Sequence, residues 1–419
     1  MAHDASERRR EVGRRVAAWR QRRGLTRRAF GDLCGRSVSW VDKVESGERA
    51  LLRLPMLERV AEVLHIPVET LTESQSLPQP ESHCLDSFEV AEIRHALQRY
   101  QAISSLLRPA VQAEPPTLSQ VERQVTYAWL SFQGARYAVL GQVIPRLLRD
   151  AQHVAAYWSS LDDNGIRART LLSRAYQVTA STLWKMKEID LAWLAAERGL
   201  VVAERTGDTL LIGDAARRVA QGLMTTDQSD QSLDLLNADI NRLEPALKLN
   251  AASAEYLSLY GMLFLMGSVV AARVGRTTTA RELLAEGETV AARLGEDRNE
   301  RYTAFGPTNV LLHRVSTLVE VGDGGAAVEV AGRVSPDGLA RLPPERRANF
   351  LIDCARGWFQ AGDHRQAVTA LLKAESLAAD EVRCRPIAIF LIDELRRAQP
   401  TKPSWSLQQL LSRVGLSSV

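Results

Sequence analysis

From residue 85 onward, apolar residues recur at helical spacing and are interrupted by short turns every 40 to 48 residues, with no strand-like alternation of useful length. The pattern is clearest over residues 348–379. There ANFLIDCARGWFQ and AGDHRQAVTALLKAESLAA read as two antiparallel helices joined at Gly362-Asp363. Ala355, Ala367 and Ala374 let those helices approach, while Leu351, Trp358, Leu371 and Leu377 supply bulk. The outline recurs at Gly322-Asp323 with Ala327, and at Gly275 with Ala280, Leu284 and Gly287. Degenerate copies lie at Lys187-Glu188 with Ala192 and Ala196, and around Asp227. A further pair is expected over 117–158, turning near Gly134, after a helix spanning about 86–108. Six helix pairs of this kind must stack, because no single pair can bury its own apolar face.

These repeats resemble the tetratricopeptide repeat, although the turn markers at 187, 227, 275, 322 and 362 are 40, 48, 47 and 40 residues apart, against the ~34 of the standard unit. The resemblance implies a right-handed superhelix whose first helices line a concave face. The positions expected there are Arg174, Gln177, Asp214, Arg217, Gln221, Met262, Asn309, His313, Asn349, Asp353 and Arg356. Asn309 and Asn349 hold the same repeat position. An amide that donates and accepts at once can clamp a peptide backbone, and Arg217 or Arg356 can take a carboxylate. The competing reading makes the asparagines helix caps, and Thr308-Asn309 after Gly306-Pro307 fits it. His313 is expected to be a satisfied groove or core residue rather than a pH switch. Trp184, Trp193, Tyr260 and Phe305 are assigned to the repeat core.

A different pattern occupies the N-terminus. In RRAFGDLCGRSVSWVDKVES, residues 27–46, Thr26 can cap a short helix that buries Phe30 and Cys34. Gly31 permits close helix approach and Gly35 suits a left-handed turn. Ser37 can cap a second helix held down by Val41 and Val44. Val12, Val16 and Trp19 before it, and Leu57, Val60, Val63 and Leu64 after Pro55, complete a small core. Residues 11–71, with GLTRRAFGDLCGRS and the ESGER turn, resemble the Cro/C1-type (XRE) helix-turn-helix family. That resemblance implies double-stranded DNA as partner, with a phosphate contact from Arg27 and base contacts from Val38, Ser39 and Lys43. With Val41 and Val44 facing inward, the outward set near the start of the second helix, expected at base edges, is Val38, Ser39, Trp40, Asp42 and Lys43, and Arg28, Arg36 and Ser37 are further candidates for DNA contact. Arg27 and Arg36 stand where the family usually has glutamine and an aliphatic residue, which would strengthen backbone contact. Val38 can meet only a thymine methyl and Ser39 pairs with several bases, so Lys43 is the strong candidate for guanine.

Charge supports a polyanion at one end only. Residues 1–53 hold 14 Lys and Arg against 7 Asp and Glu, and the remainder holds 39 against 43. Arg8, Arg9 and Arg10 form either an arm on DNA or the solvated start of the first helix.

The expected organisation is all-α: a five-helix DNA-binding domain over 1–71, a linker over 72–84 (TESQSLPQPESHC), and a repeat sensor and dimerisation domain over 85–419. Such a combination resembles bacterial peptide-sensing quorum regulators and their actinobacterial relatives. It implies a homodimer that binds a peptide or small-molecule signal. Six lysines against 47 arginines suit a GC-rich genome.

Cys34, Cys84, Cys354 and Cys384 lie far apart in apolar helical contexts, apart from Cys84 beside His83 in the linker, and are expected to be reduced thiols. No metal site, cofactor or catalytic residue is assigned, since phosphate-cradling loops, ligand clusters and nucleophile-base pairs are missing; GDGG at 322–325 reads as a repeat turn. No stretch approaches a membrane span and the N-terminus lacks a signal-peptide core, so a cytoplasmic location is expected. The alternative to a regulator is an interaction adaptor with a basic tether. Pro400, Pro403 and Trp405 belong either to a cap on the last repeat or to a tail.

Overall fold

A computed structural model describes residues 2–23, 25–49, 54–64, 66, 68, 71, 85, 87–98, 114–160, 162–226, 228–248, 253–398 and 403–416. It divides the chain into two compact units, Met1–Ser82 and His83–Val419. Among the described residues all regular elements are helical, giving an all-α chain with a helix-turn-helix-like bundle followed by a helical solenoid. The expected linker, with Cys84, and residues 99–108 of the expected helix at 86–108 lie outside the described residues, as do Asp227 and Pro400.

The N-terminal unit contains α1 (Ala2–Arg22), α2 (Arg27–Leu33), α3 (Val38–Glu45) and α4 (Leu54–Leu64). Thr26 accepts from Ala29 N and Ser37 from Trp40 N, so both short helices start at hydroxyl caps. Gly35 between them has φ +66°, a conformation that glycine adopts without steric cost. Val16, Trp19, Phe30, Cys34, Val41, Val44, Leu57, Val60 and Leu64 form the core. A Cβ on Gly13 would lie 2.3 Å from Val44 O, so α1 crosses α3 backbone to backbone at that residue.

The second unit opens with α5 (Ser87–Gln98) and then stacks six helix pairs: α6 (Leu118–Gln133) with α7 (Tyr137–Tyr157), α8 (Asp163–Lys185) with α9 (Ile189–Glu204), α10 (Thr209–Thr225) with α11 (Ser229–Lys248), α12 (Ala254–Arg273) with α13 (Thr277–Leu294), α14 (Pro307–Val321) with α15 (Gly324–Ala331), and α17 (Pro344–Gln360) with α18 (His364–Leu377). A short α16 (Pro336–Arg341) precedes the last pair, and α19 (Ala379–Arg383), α20 (Pro386–Arg397) and α21 (Trp405–Arg413) follow it. Gly275, Gly322 and Gly362 make left-handed turns. In the first two pairs Ala135 and Lys187 adopt that conformation without being glycine, which is why their turn signals are degenerate in sequence.

The start of the solenoid meets its last helices. Asp380 accepts from Tyr137 N at 2.9 Å, and the Tyr137 hydroxyl donates to Glu381. Lys185 Nζ bridges Glu345 and Glu381 at 2.5 and 2.9 Å. Gln133 and Asn299 exchange two amide hydrogen bonds of 2.9 Å, and Trp129 stacks on Tyr302 with centroids 5.0 Å apart. These contacts tie the first two pairs to α17 of the last pair, to α19 and to the loop between α13 and α14.

Three expectations change. Helix α12 is long and apolar enough to cross a membrane, contrary to the reading that no stretch approaches that length; most of it is buried inside the repeat unit, as in a core helix. Cys34 and Cys354 are free and buried, but Cys384 is disulfide-bonded, so the thiols are not all reduced. Trp193 is exposed, whereas Trp184, Tyr260 and Phe305 are core residues as expected.

Candidate DNA-reading surface and ligand cavity

In the N-terminal unit, Arg28, Arg36, Ser37, Val38, Ser39 and Lys43 are exposed, on the start of α2, the turn and the outer side of α3. Trp40 is not: it packs in the core with Val41 and Val44, and so is withdrawn from the outward set. The buried stripe of α3 comprises Trp40, Val41, Val44 and Glu45, two residues more than Val41 and Val44 alone.

Glu45 anchors this helix. Its carboxylate accepts from Arg20 Nε at 2.5 Å and Nη2 at 3.2 Å, with both side chains buried, and from Arg27 Nε at 3.0 Å. Arg27 also meets Asp42 at 3.1 Å. Glu45 raises the Arg27 pKa through its hydrogen bond and charge. Arg27 and Asp42, expected at phosphate and base, are thus engaged with each other and with Glu45, though both stay about half exposed. Arg20 and Glu45 carry no motif signal. They are 25 residues apart, and only the fold joins them.

In the repeat unit, side chains of α6, α8, α10, α12, α14 and α17 surround a cavity of about 430 Å³. Arg217, Gln221, Met262, His313, Asn349, Asp353 and Arg356 of the expected groove set line it together. Arg174 and Asp214 instead line a neighbouring cavity of about 280 Å³ with Trp129, Glu255, Asn299 and Arg301. Gln177 is buried against Ser173, to which its amide donates at 3.2 Å. Asn309 is fully buried, its amide donating to Met262 Sδ at 3.6 Å while Oδ1 finds no partner. It caps nothing, because α14 begins at Pro307 after Gly306. Asn349 sits within α17, donates to Glu345 at 2.5 Å and accepts from Arg385.

The larger cavity is cationic. Lys185, Arg217, Arg218, Arg273, Arg346, Arg356 and Arg385 line it against the carboxylates Glu320, Glu345 and Asp353. Only Arg217 and Arg356 among these cations were expected. Arg218 was within reach of sequence reasoning as the neighbour of Arg217 on a first helix; Lys185 and Arg385 become cavity residues only through ring closure. Burial and the adjacent Arg217 pull the Arg218 guanidinium down to about 9. Burial, with Arg346, holds His313 down to about 3, and its Nδ1–H donates to the Asn309 carbonyl at 2.9 Å. Burial acts to raise Glu345, but Lys185 and Arg346 outweigh it and hold the carboxyl down to about 2. Burial raises Asp353 despite Arg356.

Arg301 in the smaller cavity has φ +49°, and Tyr302 and Ala304 share its left-handed conformation. The Arg301 side chain is buried, 3.9 Å from Asp214 and 3.6 Å from Glu255. No group of three or more metal-ligating side chains occurs among the described residues.

Residues 11–73 match a family profile described as a helix-turn-helix domain. Among solved structures the chain is similar to Bacillus thuringiensis PlcR, determined in complex with the peptide PapR7 and DNA, at 11% identity, covering 84% of this chain and 98% of that one with a TM-score of 0.35. It is also similar to Bacillus subtilis aspartyl phosphate phosphatase F, at 11% identity, covering 87% and 93% with a TM-score of 0.43. No curated protein matches the chain.

Proposed function

We propose that this chain is a sequence-specific, homodimeric transcriptional regulator of the cytoplasm. Residues 1–71 bind double-stranded DNA, 72–84 link, and 85–419 hold the dimer and receive a peptide or small-molecule signal. The observation that carries the reading is the outward side of α3. Val38, Ser39 and Lys43 are solvent-facing on a helix pinned from behind by Glu45, with Arg28 and Arg36 flanking it. In a helix-turn-helix that face enters the major groove, and the arginines meet phosphates. A dimer would place two such helices one DNA turn apart, ~34 Å. Signal in the repeat cavity would change operator affinity to the extent that it prefers one conformation of the solenoid. No catalytic role is assigned to any residue.

The test is to incubate purified protein with sheared genomic DNA at near-physiological salt and to sequence what is retained. The reading expects a dyad-symmetric motif with half-sites about one helical turn apart. Sequence-independent recovery that disappears with modest added salt overturns it and leaves an interaction adaptor with a basic tether.

A further inference from the structure

We propose that the larger cavity of the repeat unit is built for a compact amphipathic anion, its head group held by Arg217, Arg218 and Arg346 and its apolar part lying against Met224, Met262 and Met266. The inference rests on the regulatory reading above and names the class of signal.

The first observation is unmet charge. Asp214 is shared by Arg217 at 2.8 Å, Arg218 at 3.9 Å and Arg301 at 3.9 Å, and only Arg301 of the three has a second carboxylate, Glu255 at 3.6 Å. Glu345 is taken by Lys185 at 2.5 Å and leaves Arg346 4.0 Å away. The second is unmet hydrogen bonding: Nε of Arg217, Arg218 and Arg346 is buried without a partner, on side chains that for Arg217 and Arg218 are only 6% and 7% exposed. Buried guanidinium donors without an acceptor are costly, and a carboxylate or phosphate supplies both the acceptor and the missing charge. Burial first, and then the like charge of Arg217, lower the pKa of Arg218 in the same place.

Size and polarity restrict the rest of the ligand. Three methionines, with Val269, Leu312 and Phe350, supply adaptable apolar lining beside the cations. At about 430 Å³ the cavity lies in the range of small-molecule sites.

The experiment is calorimetric titration of the full-length protein with octyl phosphate, octanoate, octanol and octylammonium, each below its micellar concentration. One site per chain is expected for the two anions, weakening with salt, with octanol and octylammonium roughly tenfold weaker or undetectable. Whichever anion binds more tightly identifies the head group as phosphate or carboxylate. Arg218→Gln and, separately, the more exposed Arg346→Gln should each weaken anion binding roughly tenfold, while Arg174→Gln in the neighbouring cavity leaves it unchanged. Equal affinity for octanol, or wild-type anion affinity in both cavity variants with circular dichroism intact, overturns the proposal. Operator affinity measured on the same samples separates the two ideas. Anion binding without an effect on operator affinity keeps the site and sinks the regulatory coupling; operator affinity that shifts in the cavity variants while no anion binds sinks the site alone.

Discussion

Replacing Glu45 with alanine removes a carboxylate that ties α3 to α1 through Arg20. In the folded unit it takes two hydrogen bonds from buried Arg20, at 2.5 and 3.2 Å, and one from Arg27 at 3.0 Å. Arg20 would keep only its bond to Leu25 O at 2.7 Å, leaving a buried guanidinium without its counter-charge. Breaking one side of such a pair costs about 3–5 kcal/mol. The Arg27 contact adds little, because that side chain is half exposed and screened. Against a domain stability of ~5–15 kcal/mol the loss is large. Amide hydrogen exchange in the full-length protein reads it directly: α1–α3 amides should exchange roughly 100-fold to several-thousand-fold faster, at ~1.4 kcal/mol per decade, with α6–α18 unchanged. Arg20→Met with Glu45→Leu should recover most of the protection, since an apolar pair of similar volume removes the stranded charge. A change below about twofold in Glu45→Ala, or a double variant no better than the single, would refute the reasoning.

Four further outcomes are expected. Gly13→Leu should splay α1 from α3, because even a Cβ there meets Val44 O at 2.3 Å; DNA binding should be lost while calorimetry shows the repeat-unit transition unmoved. DNA affinity should fall steeply with salt, and Arg28→Ala and Arg36→Ala should each reduce the magnitude of the slope of log K against log salt by about 1 per chain; a flat salt dependence contradicts the phosphate assignments. Glu381→Leu should lower the repeat-unit melting transition by removing a buried partner of Tyr137, Lys185 and Arg385, at a cost of about 3–5 kcal/mol; an unmoved transition argues against closure. His313 sets a pH dependence. Its folded pKa of about 3 lies below the ordinary 6.5, so the unfolded chain binds the proton more readily and stability falls as pH drops from 6.5 toward 3. From pH 7 to 5 wild type should lose about 2 kcal/mol more than His313→Gln by denaturant unfolding, and parallel curves would exclude the effect.

The local parts of this fold were legible because they are written in neighbouring residues. Thr26, Gly35 and Ser37 specify a turn between two short helices, and Gly275, Gly322 and Gly362 punctuate the repeats. The inward place of Trp40 was legible too, had the stripe been read as Trp40, Val41, Val44 and Glu45, with its 40/44 and 41/45 pairs at i, i+4. What local pattern cannot carry is pairing over long sequence separation. Arg20 finds Glu45, Lys185 finds Glu381 and Gln133 finds Asn299 only when helices far apart in the chain are brought together. The cavity follows the same division. Its position on the first helices came from repeat geometry, whereas the crowd of guanidiniums around three carboxylates depends on how the solenoid closes.

The claim that α3 reads DNA is tested most directly by selecting bound duplexes from a randomised pool with wild type, Ser39→Ala and Lys43→Ala in parallel. The account predicts a dyad motif for wild type, with the alanine variants still binding but relaxed at one symmetric position per half-site, each lost contact being worth about 1–3 kcal/mol of discrimination. An identical motif from all three proteins, or no motif from any of them, would contradict it.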